Sequence, residues 1–256
     1  MNSPLPSAAA ATASTTSPVA AEATPFLATR LPAVGTTVFT RMSALAAQHY
    51  AVNLGQGFPD FACDPRLVDL VADAMRAGHN QYPPMAGTPA LRRAIADKIG
   101  ALYGHAYDMD SEITVTAGAT QALTTAILCA VHPGDEVIVI EPAYDSYMPA
   151  IELAGGVVVP VQMVLDEGGY RVPWERIGAA VSPKTRLIVI NTPHNPTGSV
   201  LREADLEALA GIVHGTDILV LSDEVYEHMV YDGQPHASVS RHPVLAARSF
   251  VVSSFG

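Results

Sequence analysis

The chain has 256 residues, 49% hydrophobic and 15% charged, with a formal net charge of −11 and a mean hydropathy of +0.23. That content suffices for a large buried core, and the low charge fits an α/β protein whose central strands are covered on both faces. The acidic balance leaves no electrostatic footprint for nucleic acid or an anionic membrane, and no apolar run reaches the length of a membrane span. Cys63 and Cys129 form neither a metal spacing nor a disulfide framework and are expected as reduced, buried thiols. The histidines show no ligand spacing, so no metal is expected.

Residues 1–24 are rich in Ala, Ser, Thr and Pro and contain no basic residue; the first is Arg30. A secretory signal needs a positive start and a transit peptide needs arginines. A disordered tail over residues 1–30 and a cytoplasmic protein are therefore expected. Residues 36–48 then read as a short amphipathic helix and 52–54 (VNL) as a strand. Asp64-Pro65 is an N-cap followed by a proline at the first helical position, opening a helix to about Ala77 that Gly78 stops. Thr88-Pro89 repeats the device and opens a helix to about Tyr103. From Ile113 the pattern becomes regular. Strands are expected at 113–116 (ITVT), 136–140 (EVIVI), 157–161 (VVVPV), 186–191 (RLIVIN), 218–223 (ILVLSD) and 250–254 (FVVSS). Helices are expected at 120–131, 147–154 and 203–213. Short Val/Ile/Leu runs without polar alternation indicate strands buried on both faces. The intervening helices imply right-handed crossovers and a mostly parallel sheet.

Ligands of an open α/β sheet bind outside the carboxyl ends of the strands, so the residues that follow each strand carry the functional reading. After ITVT comes Gly118-Ala119-Thr120, where small residues and a helix N-terminus suit a phosphate, although the same letters also make an ordinary capped turn. After RLIVIN comes Asn195-Pro196-Thr197-Gly198, a turn that would hold the Asn195 amide rigidly. ILVLSD ends on Asp223, with Tyr226 close behind. A carboxylate at a hydrophobic strand exit has desolvation against it unless it meets a positive partner, such as a protonated pyridine nitrogen. Tyr144, after Glu141-Pro142-Ala143, has a ring able to stack on an aromatic cofactor. Ser254 closes the last strand. A phosphate cradle, an amide, a carboxylate with a nearby phenol, and a hydroxyl would thus meet at one rim.

With these residues placed, the sequence resembles the class I/II aminotransferases from about Leu31 onward. The resemblance is carried by VNLGQGFPDF (52–61), NQYPPMAGTPALR (80–92), ITVTAGATQAL (113–123), EPAYDSY (141–147), NTPHNPTG (191–198), SDEVYEHMVYDG (222–233) and VVSSFG (251–256). Within the family, GQGFPDF and SDEVYEH point towards the bacterial methionine aminotransferases and the kynurenine/glutamine transaminases. The resemblance implies the three-layer fold-type I architecture and pyridoxal phosphate as cofactor. It divides the chain into an N-terminal part of a small domain (31–65) and a large cofactor-binding domain (66–256). It implies a homodimer, with L-amino acids and 2-oxo acids as substrates. Residue by residue, Gly57 would contact the substrate carboxylate, and Tyr82 would reach the cofactor phosphate of a partner subunit. Gly118, Ala119, Thr120 and Ser254 would hold the phosphate, and Tyr144 would stack on the ring. Asn195 and Tyr226 would bond the ring oxygen, Asn195 also facing the substrate, and Asp223 would pair with the ring nitrogen. Cis peptide bonds are implied at Glu141–Pro142 and Asn195–Pro196.

Ser254 is the first residue of the family's S-x-x-K signature, whose lysine would follow Gly256. The sequence is therefore expected to stop just short of the residue that would bind the cofactor covalently. Lys98 and Lys184 lie outside that signature. Alone, residues 1–256 are expected to be inactive and to expose apolar surface over 31–61 and on the last strand. Two other readings are a cysteine-conjugate or cystathionine C–S β-lyase of the same fold, and a catalytically inert cofactor-binding remnant.

Overall fold

The computed structural model describes residues 30, 31, 35–55, 57, 59 and 61–255. The expected tail, apart from Arg30, lies outside the described residues. From Leu31 onward the chain forms one compact unit, organised around a five-stranded sheet. The strands are β1 (Glu136–Glu141), β2 (Val157–Gln162), β5 (Thr185–Asn191), β6 (Leu219–Asp223) and β7 (Ser249–Val252), in the order β2-β1-β5-β6-β7, and every neighbouring pair is parallel. This is the mostly parallel α/β sheet expected from the unalternating apolar runs.

Those runs have a direct cause in the packing. Val137, Val139, Leu187, Val189, Leu221 and Val252 join one apolar cluster, with Leu123 and Ile127 of α4 (Ala119–Ala130) and Ile151 of α5 (Tyr147–Ala154). The residues next to them in sequence, Ile138, Ile140, Ile188, Ile190 and Val220, join a second cluster. There they meet Ile177 of α6 (Trp174–Ala180) and Leu206 and Leu209 of α7 (Glu203–Val213). Helices cover both faces, so both phases of the strand alternation must be apolar. Each fully buried Leu or Ile contributes roughly 1.5–3 kcal/mol.

Outside the sheet, α1 (Val38–Gln48) forms within the expected amphipathic stretch, and α2 (Pro65–Arg76) forms where its cap placed it. Asp64 Oδ1 accepts the Arg66 amide at 2.9 Å, Pro65 opens α2, and Gly78 beyond it has a φ of +88°. Helix α3 (Pro89–Tyr103) also opens on its proline and ends at Gly104 in the left-handed region, although the Thr88 side chain makes no capping bond. Neither α1 nor α2 buries a residue: Phe39, Met42, Leu45, Leu67 and Leu70 are all exposed, as are Tyr50, Val52, Leu54 and Phe61 further along.

Several expectations need correction. Residues 52–54 are coil, because Asn53 spends its amide group locally: Nδ2 donates to Ser43 Oγ and Oδ1 accepts the Gly55 amide, both at 3.0 Å. Such side-chain bonds compete with a strand ladder. ITVT at 113–116 is also coil. Its β-forming residues find no neighbouring strand among the described residues, and the Val115 amide bonds the Ala86 carbonyl at 3.0 Å instead. Cys63 and Cys129 are free but exposed, not buried. A short hairpin and a helix went unread. Strands β3 (Val164–Asp166) and β4 (Gly169–Arg171) pair antiparallel around Glu167-Gly168, closed by Asp166 accepting the Gly168 amide at 2.9 Å. Helix α6 follows Pro173 and is only 7 residues long, too short to show a period. The chain closes its fold with a short 3-10 turn (Val239–Arg241) and α8 (Pro243–Ala246) before β7.

Two-sided burial makes a measurable claim. Leu187 and Ile188 are adjacent on β5, face opposite clusters and are both 0% exposed. Leu187→Ala and Ile188→Ala should each cost about 2–5 kcal/mol in urea unfolding. One large and one negligible loss would instead mean that one face of the sheet is open.

Candidate active site

The parallel strands deliver their carboxyl ends to one edge of the sheet, and the register there is tight. Asn191, last in β5, pairs with Asp223, last in β6, and Asp223 pairs with Val252, last in β7. Asn191 Nδ2 donates to the Asp223 carbonyl at 2.8 Å, and the Thr192 amide donates to the same carbonyl at 3.0 Å. Beyond β5 the chain turns sharply. Asn191 Oδ1 accepts the Asn195 amide at 2.6 Å, the Gly198 amide donates to the His194 carbonyl at 2.8 Å, and Gly198 carries a φ of +73°. The His194 ring is buried against Thr197 Oγ1 at 2.9 Å, and burial holds its pKa below the ordinary value. The segment bearing Asn195 is therefore fixed by its own hydrogen bonds. Peptide bonds 141–142 and 195–196 are cis, as the resemblance implied, and so is 192–193.

Asp223 carries an electrostatic cost because it is shielded from water. Its residue is 3% accessible, and burial pushes its carboxyl pKa above the ordinary value. Tyr147 donates to Oδ2 at 2.6 Å and the Val225 amide to Oδ1 at 3.3 Å, which offset the burial only in part. The other charge acting on it is the acidic neighbour Glu224. None of these groups is positive, so among the described residues the carboxylate has no cation to offset its burial. Tyr147 is itself buried, and burial, with the Asp223 charge beside it, drives its phenol far above the usual range, keeping it a donor. Its ring meets Tyr144 edge-on, with centroids 5.7 Å apart and an interplanar angle of 77°. Tyr144 thus stands one ring away from Asp223.

The phosphate candidates lie at the start of α4. Gly118 takes a φ of +84°, which favours glycine, and open space surrounds the position a Cβ would fill. The first turn of the helix leaves the Ala119 and Thr120 amides without intrahelical acceptors. Thr116 and Ala122, on either side of this turn, line the same cavity as Ser253 and Ser254. Tyr226 and Asn195 line a second, more open cavity. Gly57 and Tyr82 are exposed, Tyr82 completely, and among the described residues no hydrogen bond joins either to the strand ends.

Three participants were not singled out from the sequence. Tyr147 was visible as the last letter of EPAYDSY and the start of a helix, and Asn191 as the end of a strand and the first letter of NTPHNPTG, neither with a role. Glu227 is buried and accepts bonds from Lys98 at 2.7 Å, from Tyr103 and from Ser253. Only coordinates bring those donors to it.

A family model described as aminotransferase class I and II matches residues 50–256. Three curated relatives are similar along most of the chain. Methionine aminotransferase of Escherichia coli is 53% identical over 89% of the chain, and probable N-succinyldiaminopimelate aminotransferase DapC of Mycobacterium tuberculosis 45% over 88%. Kynurenine–oxoglutarate transaminase 1 of Mus musculus is 35% identical over 90%. The chain spans 57–58% of the length of these relatives. A crystal structure from Escherichia coli, described as identifying a methionine aminotransferase function, superposes with a TM-score of 0.85 at 50% identity, covering 91% of this chain and 60% of that one.

The burial of Asp223 has a pH signature. A carboxyl whose folded pKa is raised stabilises the fold below its unfolded pKa, and that stability is lost as pH rises through the folded pKa. Asp223→Asn should therefore raise the urea midpoint of the cofactor-free chain at pH 7. The gain should fade as pH falls through the raised Asp223 pKa; a gain that is flat with pH would mean the carboxylate is not strained.

Proposed function

The chain belongs to the class I and II aminotransferases, and from that premise we propose that it serves a pyridoxal-phosphate-dependent transamination. An amino group passes between an L-amino acid, of methionine, aromatic or glutamine-like type, and a 2-oxo acid. The observation that carries the reading is the buried Asp223 carboxylate at the rim of the sheet, which meets a phenol and an amide but, among the described residues, no positive charge. A protonated pyridine nitrogen is a cation that could pair with it, and the open turn at Gly118 suits a phosphate.

Pyridoxal phosphate supplies an electron sink for the pair left behind when the substrate's α-proton departs. The residues of this chain would act around that chemistry. Asp223 would hold the proton on the ring nitrogen, and Tyr147 would hold Asp223 in place. Tyr144 would stack on the ring, while the Asn195 amide and the Tyr226 hydroxyl would hydrogen-bond to its oxygen. The amides of Ala119 and Thr120, beside Gly118, and the Ser254 hydroxyl would bind the phosphate. Gly57 would face the substrate carboxylate. Together these groups orient the reacting bond before the proton moves.

Residues 31–65 are assigned to a smaller domain and 66–256 to the large cofactor-binding domain. A cytoplasmic homodimer is the assembly that fits, with Tyr82 reaching the phosphate of the partner subunit. Its full exposure, and the exposed apolar faces of α1 and α2, support that reading. No helix among the described residues is long and apolar enough to cross a membrane.

The direct test is to supply the full-length protein with L-methionine and a 2-oxo acid, and separately with cystathionine. Conversion of methionine to its oxo acid is expected. Thiol release from cystathionine without oxo-acid exchange would overturn the reading in favour of C–S lysis. In the same protein, Asp223→Ala should lower turnover by a factor on the order of 10²–10³, the size seen when one preorganised electrostatic group is removed. Bound cofactor should fall far less, since the phosphate and stacking contacts remain. An unchanged rate in a variant that still binds pyridoxal phosphate would remove Asp223 from its role.

A further inference from the structure

Glu227 is a buried acid that the roles above leave unused. It is 7% exposed, on the turn after β6, and three donors from two distant segments converge on it. Lys98 Nζ donates to Oε1 at 2.7 Å, Ser253 Oγ donates to the same oxygen, and Tyr103 donates to Oε2. Lys98 and Tyr103 belong to α3, while Ser253 lies just past the end of β7. Burial alone would push the carboxyl pKa up. Hydrogen bonds from Lys98, Ser253 and Tyr103 outweigh it and hold the carboxyl below its ordinary range.

Such an arrangement is a costly way to hold three segments together. Burying an ion pair stabilises a fold little, and often less than apolar side chains of the same volume would. Charged hydrogen bonds do supply direction, because they fix the donor as well as the acceptor. The groups fixed most closely here are the immediate neighbours of two cofactor candidates. Tyr226 precedes Glu227 in the chain, and Ser254 follows Ser253. The turn between is also tied by backbone, with the Glu227 amide on the Glu224 carbonyl at 2.9 Å and the Glu224 amide on the Val252 carbonyl at 2.8 Å.

We propose that Glu227 is a positioning residue for the cofactor: through Ser253 it sets Ser254 against the phosphate, and through its own turn it sets Tyr226 against the ring oxygen. The proposal rests on the cofactor reading above. It goes beyond that reading by making one carboxylate, remote from the reacting atoms, responsible for the spacing of two contacts. Lys98 and Tyr103 anchor that carboxylate to α3, so α3 becomes the reference against which the two contacts are held.

The test uses the full-length protein with Glu227→Gln, Ser253→Ala and the double variant. Pyridoxal phosphate affinity is read by titration, the asymmetry of the bound chromophore by visible circular dichroism, and folding by urea denaturation. Glutamine keeps the shape of Glu227 but turns an amide towards groups that donate. Glu227→Gln should weaken cofactor binding about tenfold or more, as expected for losing a charged hydrogen bond. Ser253→Ala should weaken it less. The double variant should be no worse than Glu227→Gln, because both changes cut one linkage, and visible dichroism should fall in all three. A folded Glu227→Gln protein with affinity within twofold of the parent and unaltered dichroism overturns the proposal, since a purely structural tie would move only the urea midpoint. If Glu227→Gln does not fold, Ser253→Ala alone decides, and unchanged affinity and dichroism there overturn it equally. A parent protein that binds no pyridoxal phosphate refutes the cofactor reading itself, and this proposal with it.

Discussion

The structure depends on what happens to a carboxylate at the end of a strand that cannot reach water. Strand β6 has neighbours on both edges and apolar clusters on both faces, so its last side chain is desolvated wherever it points. An apolar residue there would be cheaper. Asp223 persists with its pKa raised by burial, held by a phenol and an amide that lower the cost without cancelling it. A buried carboxylate at a sheet rim, with no positive charge beside it among the described residues, is a candidate for a functional role.

Two further acids follow within four residues, and their treatment sharpens the point. Glu224, 1% exposed, is answered inside the protein: His236 Nε2 lies 2.9 Å from Oε2, while Ser222 and the Val239 amide reach Oε1 at 2.8 and 3.1 Å. Glu227 is answered by Lys98, Tyr103 and Ser253. The three acids at and beyond the end of β6 therefore meet two fates. Two are paired with a basic side chain from another part of the fold, and the one at the rim is not. That difference sets Asp223 apart from its two neighbours, and it appears only in the tertiary structure.

The rim is also tied together by hydrogen bonds between its elements. Asn191 works in two directions, its Nδ2 donating to the Asp223 carbonyl and its Oδ1 accepting the Asn195 amide. One buried amide side chain thus couples the end of β6 to the turn after β5. Tyr147 couples the same aspartate to the start of α5 and, through ring contact, to Tyr144. The site is less a collection of side chains than the consequence of strand register, since shifting β5 against β6 by one residue would break the Asn191–Asp223 bond. The family relationship and the chemistry proposed for it both draw on this edge.

Much of this was legible in the amino-acid sequence, and for a simple reason. Runs such as EVIVI and RLIVIN are apolar in both phases of the strand, and only burial on two faces calls for that, so the parallel sheet with helices on both sides could be read directly. The Asp64 cap and the prolines at 65 and 89 are local chemistry, and the helices they open appear where they should. The positions of Asn195 and Asp223 at the exits of β5 and β6 followed from topology, whereas Gly118 was placed behind a strand at ITVT that does not form. What the sequence could not carry is anything whose partner lies far along the chain. ITVT has the composition of a strand but no neighbour to pair with among the described residues, and VNL loses its ladder to the side chain of Asn53. Tyr147 and Glu227 look like any surface tyrosine and glutamate until folding brings Asp223, Lys98 and Ser253 against them. Propensity and periodicity are properties of neighbours in sequence, whereas desolvation and pairing belong to neighbours in space, and only the tertiary structure decided those.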